Sequence, residues 1–393
     1  MSTTLFTDIA SLVTNDVTLD KGLLGELNNA AFIEESGQII WVGSSASAPS
    51  ADSKVSLEGK SVIPGFVDSH AHLVFAGDRS LEFEARMSGR AYSVGGIMTT
   101  VRATREATDE ELDQNIATQV VEMYRGGITT FETKGGYGLD VEHELRSLKL
   151  AVAHTEDVTF LGGHVVPEEY KGRADSYVDL VKGEMLEACA PYARWVDVFC
   201  DDGAFDYEQS KAILQAGIAA GLLPRIHANQ LSQGRGVELA VELGCASADH
   251  CTHLSAKDIE LLAGSNTVAT LLPGAEFSTR SEYPDARRLV RAGVTVALAT
   301  DCNPGSSYTS SMAFCIAVAV RDMHFTPEQA LWSATLGGAK ALQREDVGSI
   351  AIGKSADFVV LDAPSFRHIP YRPGVDLVVE TFISGTSIYR SNK

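Results

Sequence analysis

The chain has 393 residues, 45% of them hydrophobic and 21% charged, with a formal net charge of −20. That supply of apolar residues builds one large core and a smaller one, which excludes a disordered chain. The acidity excludes nucleic acid and anionic membrane surfaces as partners, because both repel it.

The first residues, Met1-Ser-Thr-Thr-Leu-Phe-Thr-Asp8, show no basic stretch followed by an apolar one, and the apolar run Ala313 to Val320 is too short to span a bilayer. A cytoplasmic protein is expected. Cys189, Cys200, Cys245, Cys251, Cys302 and Cys315 form no CxxC pair, so reduced structural thiols are expected rather than disulfides or a cysteine zinc cage.

Residues 18–57 read as strand and turn, with Ala31-Phe-Ile33 and Gln38-Ile-Ile-Trp-Val-Gly43 as strand segments. From Ser61 to about Val320, short β-like runs alternate with helical stretches, the pattern of parallel βα units. The runs are Val62 to Asp68, Ile128 to Lys134, Val158 to Gly162, Trp195 to Cys200, Pro224 to His227, Ser247 to His250, Thr267 to Leu272 and Val294 to Asp301. Eight such units in roughly 250 residues match a TIM barrel. Thr108 with Glu111 reads as a helix-starting capping box, and Thr326-Pro327 with Gln329 as a second helix start. Residues 348–389 return to strand and turn, Asp357 to Asp362 most clearly. The expected architecture is therefore α/β: a TIM (β/α)8 barrel over residues 61–345, with a small composite β-sandwich domain formed by the flanks 1–60 and 346–393.

In such a barrel the C-terminal strand ends carry the chemistry. His70-Ala-His72 ends the first run, and imidazoles at i and i+2 of an extended segment reach toward the same metal ion. His227 ends the fifth run and Asp301 the eighth. Singly, His227 also fits a core histidine bonded to a carbonyl, and Asp301 a turn starter. Together the four make a three-nitrogen, one-oxygen set that suits zinc or iron and leaves a position for water. The fourth run ends in Cys200-Asp201-Asp202 with no lysine to be carbamylated as a bridge, so one ion per subunit is expected. Further polar groups stand at the same ends: Lys134, His164, Gln230, His250, Asn303, Gly305 and Ser306.

Several segments resemble a known family. Pro64-Gly-Phe-Val-Asp-Ser-His-Ala-His-Leu-Val-Phe-Ala-Gly77, Glu132-Thr-Lys-Gly-Gly-Tyr-Gly138, Phe160-Leu-Gly-Gly-His164, Ser247-Ala-Asp-His250 and Thr300-Asp-Cys-Asn-Pro-Gly-Ser-Ser307 are similar to the motifs of the imidazolonepropionase family, within the amidohydrolase superfamily. The resemblance covers about Ser61 to Ala363, and Gly353-Lys-Ser-Ala-Asp-Phe-Val359 is similar to the superfamily's closing segment.

It implies metal-dependent hydrolysis of 4-imidazolone-5-propanoate to N-formimino-L-glutamate in histidine degradation, and a homodimer. A metal-activated water attacks the ring carbonyl, with Asp301 as general base and then acid and His250 steadying the water or the oxyanion. Arg79, Tyr137, His164, Gln230, Asn303, Gly305 and Ser306 are implied as substrate contacts, Arg79 by clamping the propanoate carboxylate. Three positions depart from the family pattern: Gly135 for a common Ser, Asn229 for Asp, and Gln230 for Glu. Gln230, though in the catalytic set, carries no proton, so transfer falls to Asp301 or His250. Rival readings are another mononuclear amidohydrolase, such as a nucleobase deaminase or cyclic-imide hydrolase, and a non-catalytic scaffold relative, which is expected to have lost ligands.

Overall fold

The computed structural model describes residues 2–90 and 96–392. Eight parallel strands follow one another around a nearly closed barrel sheet: Phe66–Asp68, Ile128–Lys134, Asp157–Gly163, Trp195–Cys200, Ile226–Ala228, Ser247–His250, Val268–Leu271 and Val296–Leu298. Each pairs with its sequence neighbour, and a short strand, Leu223–Pro224, pairs beside Trp195–Cys200. At the C-terminal rim the ring is closed by a parallel bridge between Ala71 and Cys302, with Asp301 N donating to His70 O at 2.9 Å and His72 N to Cys302 O at 2.9 Å. The fold is thus the expected α/β barrel.

By compactness the chain divides into one unit of Met1–Asp68, Val121–Thr130 and Ser310–Lys393, and another of Ser69–Val120 and Phe131–Thr309. In the first unit the two flanks form one eight-stranded mixed sheet. Its order is Thr386–Arg390, Val378–Ile383, Phe358–Leu361, Ser61–Pro64, Thr3–Leu12, Leu27–Glu35, Gln38–Ser44, and Ser53–Ser56 pairs with Thr3–Leu12. The flanks meet where Val62 opposes Val360 in antiparallel register.

Two expectations change. The run Val62 to Asp68 is two strands, not one: Ser61–Pro64 belongs to the flank sheet and Phe66–Asp68 to the barrel. Pro64-Gly65 makes the switch. Gly65 N bonds Asp357 O in one sheet, the next amide, Phe66 N, bonds Gly127 O in the other, and a Cβ on Gly65 would lie 2.1 Å from Thr129 Oγ1. The central strand of the flank sheet, Thr3–Leu12, is absent from the sequence reading because a bulge between Phe6 and Ile9, with Asp8 at φ 58°, breaks its alternation.

The capping boxes are formed: Thr108 and Glu111 bond reciprocally before the helix Asp109–Arg125, and Thr326 with Gln329 before Pro327–Trp332. The apolar run at 313–320 lies in a helix of 10 residues, Met312–Arg321. Among the described residues no helix is long and apolar enough to cross a membrane. All six cysteines are buried, and none is in a disulfide.

The flank sheet is held by Phe6, Phe32, Phe358 and Phe382. Phe358 stacks on Phe382 at 4.3 Å between centroids and meets Phe32 edge-on at 4.9 Å. Phe358→Ala should destabilise this unit by about 3–5 kcal/mol, read as a lower urea midpoint. A midpoint within experimental error of wild type would refute the central place of this cluster.

Candidate functional site

The barrel strands bring the four nominated ligands to one point. His70 and His72 stand just beyond Phe66–Asp68, with their Nε2 atoms 3.3 Å apart. Asp301 Oδ1 is 3.5 Å from His70 Nε2 and 3.6 Å from His72 Nε2. The His227 ring lies 4.5 Å from that of His70, and among the described residues its buried Nε2 has no hydrogen-bond partner. Ligand atoms of His70, His72 and His227 fall within 4.8 Å of one another, as do those of His70, His250 and Asp301.

Carboxylates orient the rings from behind. His70 Nδ1 donates to Asp249 Oδ2 at 2.7 Å and His227 Nδ1 to Asp197 Oδ1 at 3.1 Å. An ionised carboxylate only accepts, so each Nδ1 carries the ring proton and each Nε2 presents a lone pair. Asp197 in turn meets Lys134 Nζ at 2.9 Å, Lys134 meets Glu132 at 2.8 Å, and Arg225 reaches Asp249 at 3.1 Å. All five of these charged side chains are fully buried.

Two cations, Lys134 and Arg225, face four carboxyl groups, Glu132, Asp197, Asp249 and Asp301, so acidic groups outnumber cations around the imidazoles. Burial, reinforced by Lys134 and the neighbouring histidines, holds His70 well below its ordinary pKa, and burial and His164 do the same for His72. Burial also drives Asp301 well above the carboxylate range. Imidazoles that present Nε2 lone pairs, an orphaned Nε2 and an excess of carboxyl groups over cations are the features a divalent cation satisfies, so the donor set fits a metal ion.

Backbone strain gathers here too. Asn229 (φ 54°), His250 (φ 75°) and Asp301 (φ 52°) all adopt left-handed conformations just where strands give way to loops. Asp301 lies beyond the last strand, Val296–Leu298, rather than within it. Asn303 pins its turn by donating to Asp301 O at 2.6 Å and accepting from Gly305 N and Ser306 N at 2.8 Å each, and Ser306 Oγ donates to Asp301 Oδ2 at 3.1 Å.

One cavity is lined by His72, His227, His250 and Asp301 together with Arg79, Tyr137, His164, Gln230, Asn303, Gly305 and Ser306. Arg79 is buried at the start of the helix Ser80–Met87; its Nη2 meets Glu82 Oε2 at 2.6 Å, and Nη1 packs so closely on Gly305 that a Cβ there would lie 2.2 Å away. One edge of its fork is therefore already in use. Gln230 is placed by Asp201, whose carboxylate accepts Gln230 N at 2.7 Å, Leu231 N at 2.8 Å and Ser232 Oγ at 3.0 Å.

Sequence reasoning missed Asp197, Asp249, Glu132 and Arg225 behind the ligands, and Arg86, whose Nη1 donates to Gly305 O at 2.7 Å. A signal existed for the first group: charged residues inside otherwise apolar strands, such as Asp197 in Trp195-Val-Asp-Val-Phe-Cys200. Nothing local marks Arg86.

Glu276, in the helix Pro273–Thr279, is likewise buried. Its Oε1 accepts Thr252 Oγ1 at 2.6 Å, its Oε2 has no partner, and burial raises its pKa to about 7.

Residues 61–388 match the model of the amidohydrolase family. The chain is 61% identical over 393 residues to the imidazolonepropionase of Mycolicibacterium smegmatis, covering 100% of this chain and 99% of that one. It is 60% identical over 389 residues to the imidazolonepropionase of Streptomyces griseus, covering 99% and 100%. Among solved structures, the atrazine chlorohydrolase of Arthrobacter aurescens, complexed with zinc, superposes with a TM-score of 0.71 at 16% identity, covering 98% of this chain and 95% of that one. At that identity the likeness is one of fold.

The Glu276 carboxyl binds its proton more tightly folded than unfolded, where its ordinary value is 4.5, so stability should fall as pH rises from about 4.5 through about 7. Glu276→Gln, which keeps the neutral shape, should remove that loss and gain about 3 kcal/mol over wild type at pH 8.5, with little difference near pH 4. Parallel melting curves for the two proteins across that range would refute the assignment.

Proposed function

The chain belongs to the amidohydrolase family and, within it, to the imidazolonepropionases, and from this we propose how its side chains open their ring substrate. The reaction is hydrolysis of a ring C–N bond in a cyclic amide: 4-imidazolone-5-propanoate becomes N-formimino-L-glutamate, in the degradation of L-histidine to glutamate. The observation that supports the mechanism best is the convergence of His70, His72, His227 and Asp301 at the floor of one cavity, lined by the last three, that also presents a buried arginine.

His70, His72, His227 and Asp301 hold one zinc or iron ion, for which three neutral imidazoles and a carboxylate are suitable donors. Such an ion, when bound, supplies a water of lowered pKa and polarises the ring carbonyl. Asp301 accepts the proton of the attacking water and returns it to the ring nitrogen as the C–N bond breaks. Ser306 and Asn303 hold the carboxylate and its turn in place for both transfers. His250, neutral because burial and the nearby His227 disfavour its charged form, donates an N–H to the oxygen on which charge develops. Gln230 hydrogen-bonds the substrate but moves no proton.

Arg79 takes the propanoate carboxylate on the side of its fork that Glu82 leaves open, and Tyr137 and His164 bound the ring. Gly305, without a side chain, leaves room for Arg79 to lie there. We place the protein in the cytoplasm, where its six buried thiols stay reduced.

Purified protein should carry about one zinc or iron ion per chain and consume freshly made imidazolonepropionate, followed by absorbance. A metal-replete sample inert toward that ring but active on a nucleobase would overturn the substrate assignment. Arg79→Met should raise KM roughly tenfold to a hundredfold with metal content unchanged, the loss of a charge-assisted contact. Wild-type kinetics in that variant would remove the carboxylate role.

A further inference from the structure

Glu144 lies in the first turns of the helix Val141–Ala151 and is fully buried. Among the described residues, its carboxylate is met by backbone N–H groups alone. Gly136 N lies 2.9 and 3.0 Å from its two oxygens, Gly138 N 3.1 Å and Leu139 N 3.0 Å from Oε1. Three amide dipoles converge on one acid, which ties down the loop that carries Tyr137. Missing side chains make the approach possible: a Cβ on Gly135 would lie 2.3 Å from Glu144 Oε2, and one on Gly138 2.4 Å from Glu144 N. Gly136 also has φ +97°, a conformation that L side chains rarely adopt. The departure from Ser at position 135 thus coincides with tight packing of this carboxylate.

The Gly136 residue that gives its N–H to Glu144 turns its carbonyl to His164, whose Nδ1 is 2.9 Å away. A carbonyl only accepts, so Nδ1 carries a proton. In the neutral imidazole the single ring proton is then on Nδ1 and not on Nε2. Its Nε2 is left as an acceptor on a ring that lines the cavity and stacks on His72, with centroids 5.4 Å apart and planes at 20°.

We propose that Glu144 is a positioning residue: by fixing Gly136 it locks His164 in the Nδ1–H form, so that Nε2 accepts a hydrogen bond from an N–H of the bound ring. The inference rests on the ring-hydrolase reading above and adds the direction of this hydrogen bond. It makes His164 a filter for cyclic substrates that present a donor at that point.

The test uses the full chain with its metal. In protein labelled with 15N-histidine, the two ring nitrogens of His164, assigned by their loss in His164→Gln, should show a protonated Nδ1 and an unprotonated Nε2. Glu144→Gln, which turns amide hydrogens toward backbone donors, should mix the two tautomers and raise KM about tenfold to a hundredfold, with kcat less affected and metal content equal to wild type. A wild-type His164 protonated on Nε2 would overturn the proposal, as would a Glu144→Gln protein with unchanged tautomer and KM. If that variant does not fold, the wild-type spectrum decides. Because the tautomer is read without substrate, a wild-type protein inert toward the imidazolone ring would defeat the reaction assignment and leave the tautomer lock to be judged separately.

Discussion

Glu132, Lys134, Asp197 and Asp249 in the barrel strands, and Arg225 just before one, have no exposure to water, where an unpaired ion costs several kcal/mol. They persist because each is paired: Lys134 with Glu132 and Asp197, Arg225 with Asp249. The two aspartates then spend their remaining acceptor capacity on the Nδ1 atoms of His70 and His227, which decides which nitrogen of each ring faces the centre. Removing either cation leaves an aspartate without its counter-ion and loosens the ring in front of it. The candidate metal centre is thus the outer face of a buried ion network, and its excess of carboxylates over cations is what suits it to hold a cation.

Around this rigid floor the rim is built differently. The strands stop short of the chemistry and loops complete it: Asp301 lies three residues past its strand, and Asn229, His250 and Asp301 all take left-handed backbone angles. Those conformations are held by local acceptors and donors, among them Asn303 for the Asp301 turn, Asp201 for the segment of Gln230 and Glu144 for the loop of Tyr137. In these loops a few polar side chains do the work that a strand ladder does elsewhere. Arg79 and Arg86 both converge on Gly305, one packing against it and the other bonding its carbonyl, so the Asp301 turn and Arg79 are set by the same residue.

Much of this was legible in the residues. Strands such as Ile128–Lys134, Trp195–Cys200 and Ser247–His250 have the bounds their apolar runs imply, because a buried parallel strand is a continuous apolar segment ended by a polar loop. The HxH pair, His227 and Asp301, the candidate ligands, stand at or just past such ends. Other parts left no periodic trace. Thr3–Leu12 is masked by its own bulge, and the split of the run at Pro64-Gly65 is visible only once each half has a partner sheet.

The sequence by itself determined the barrel and the strand character of both flanks, and it marked four candidate ligands at the strand ends, since apolar periodicity and strand-end placement are properties of neighbours along the chain. Tertiary structure alone decided the rest: which carboxylate stands behind which imidazole, that Glu82 occupies one edge of Arg79, and that Glu144 accepts the backbone N–H groups of the Gly-Tyr-Gly loop. Those are pairings between residues up to 179 positions apart. A hydrogen bond has direction and a range of about 3 Å, and linear order encodes neither.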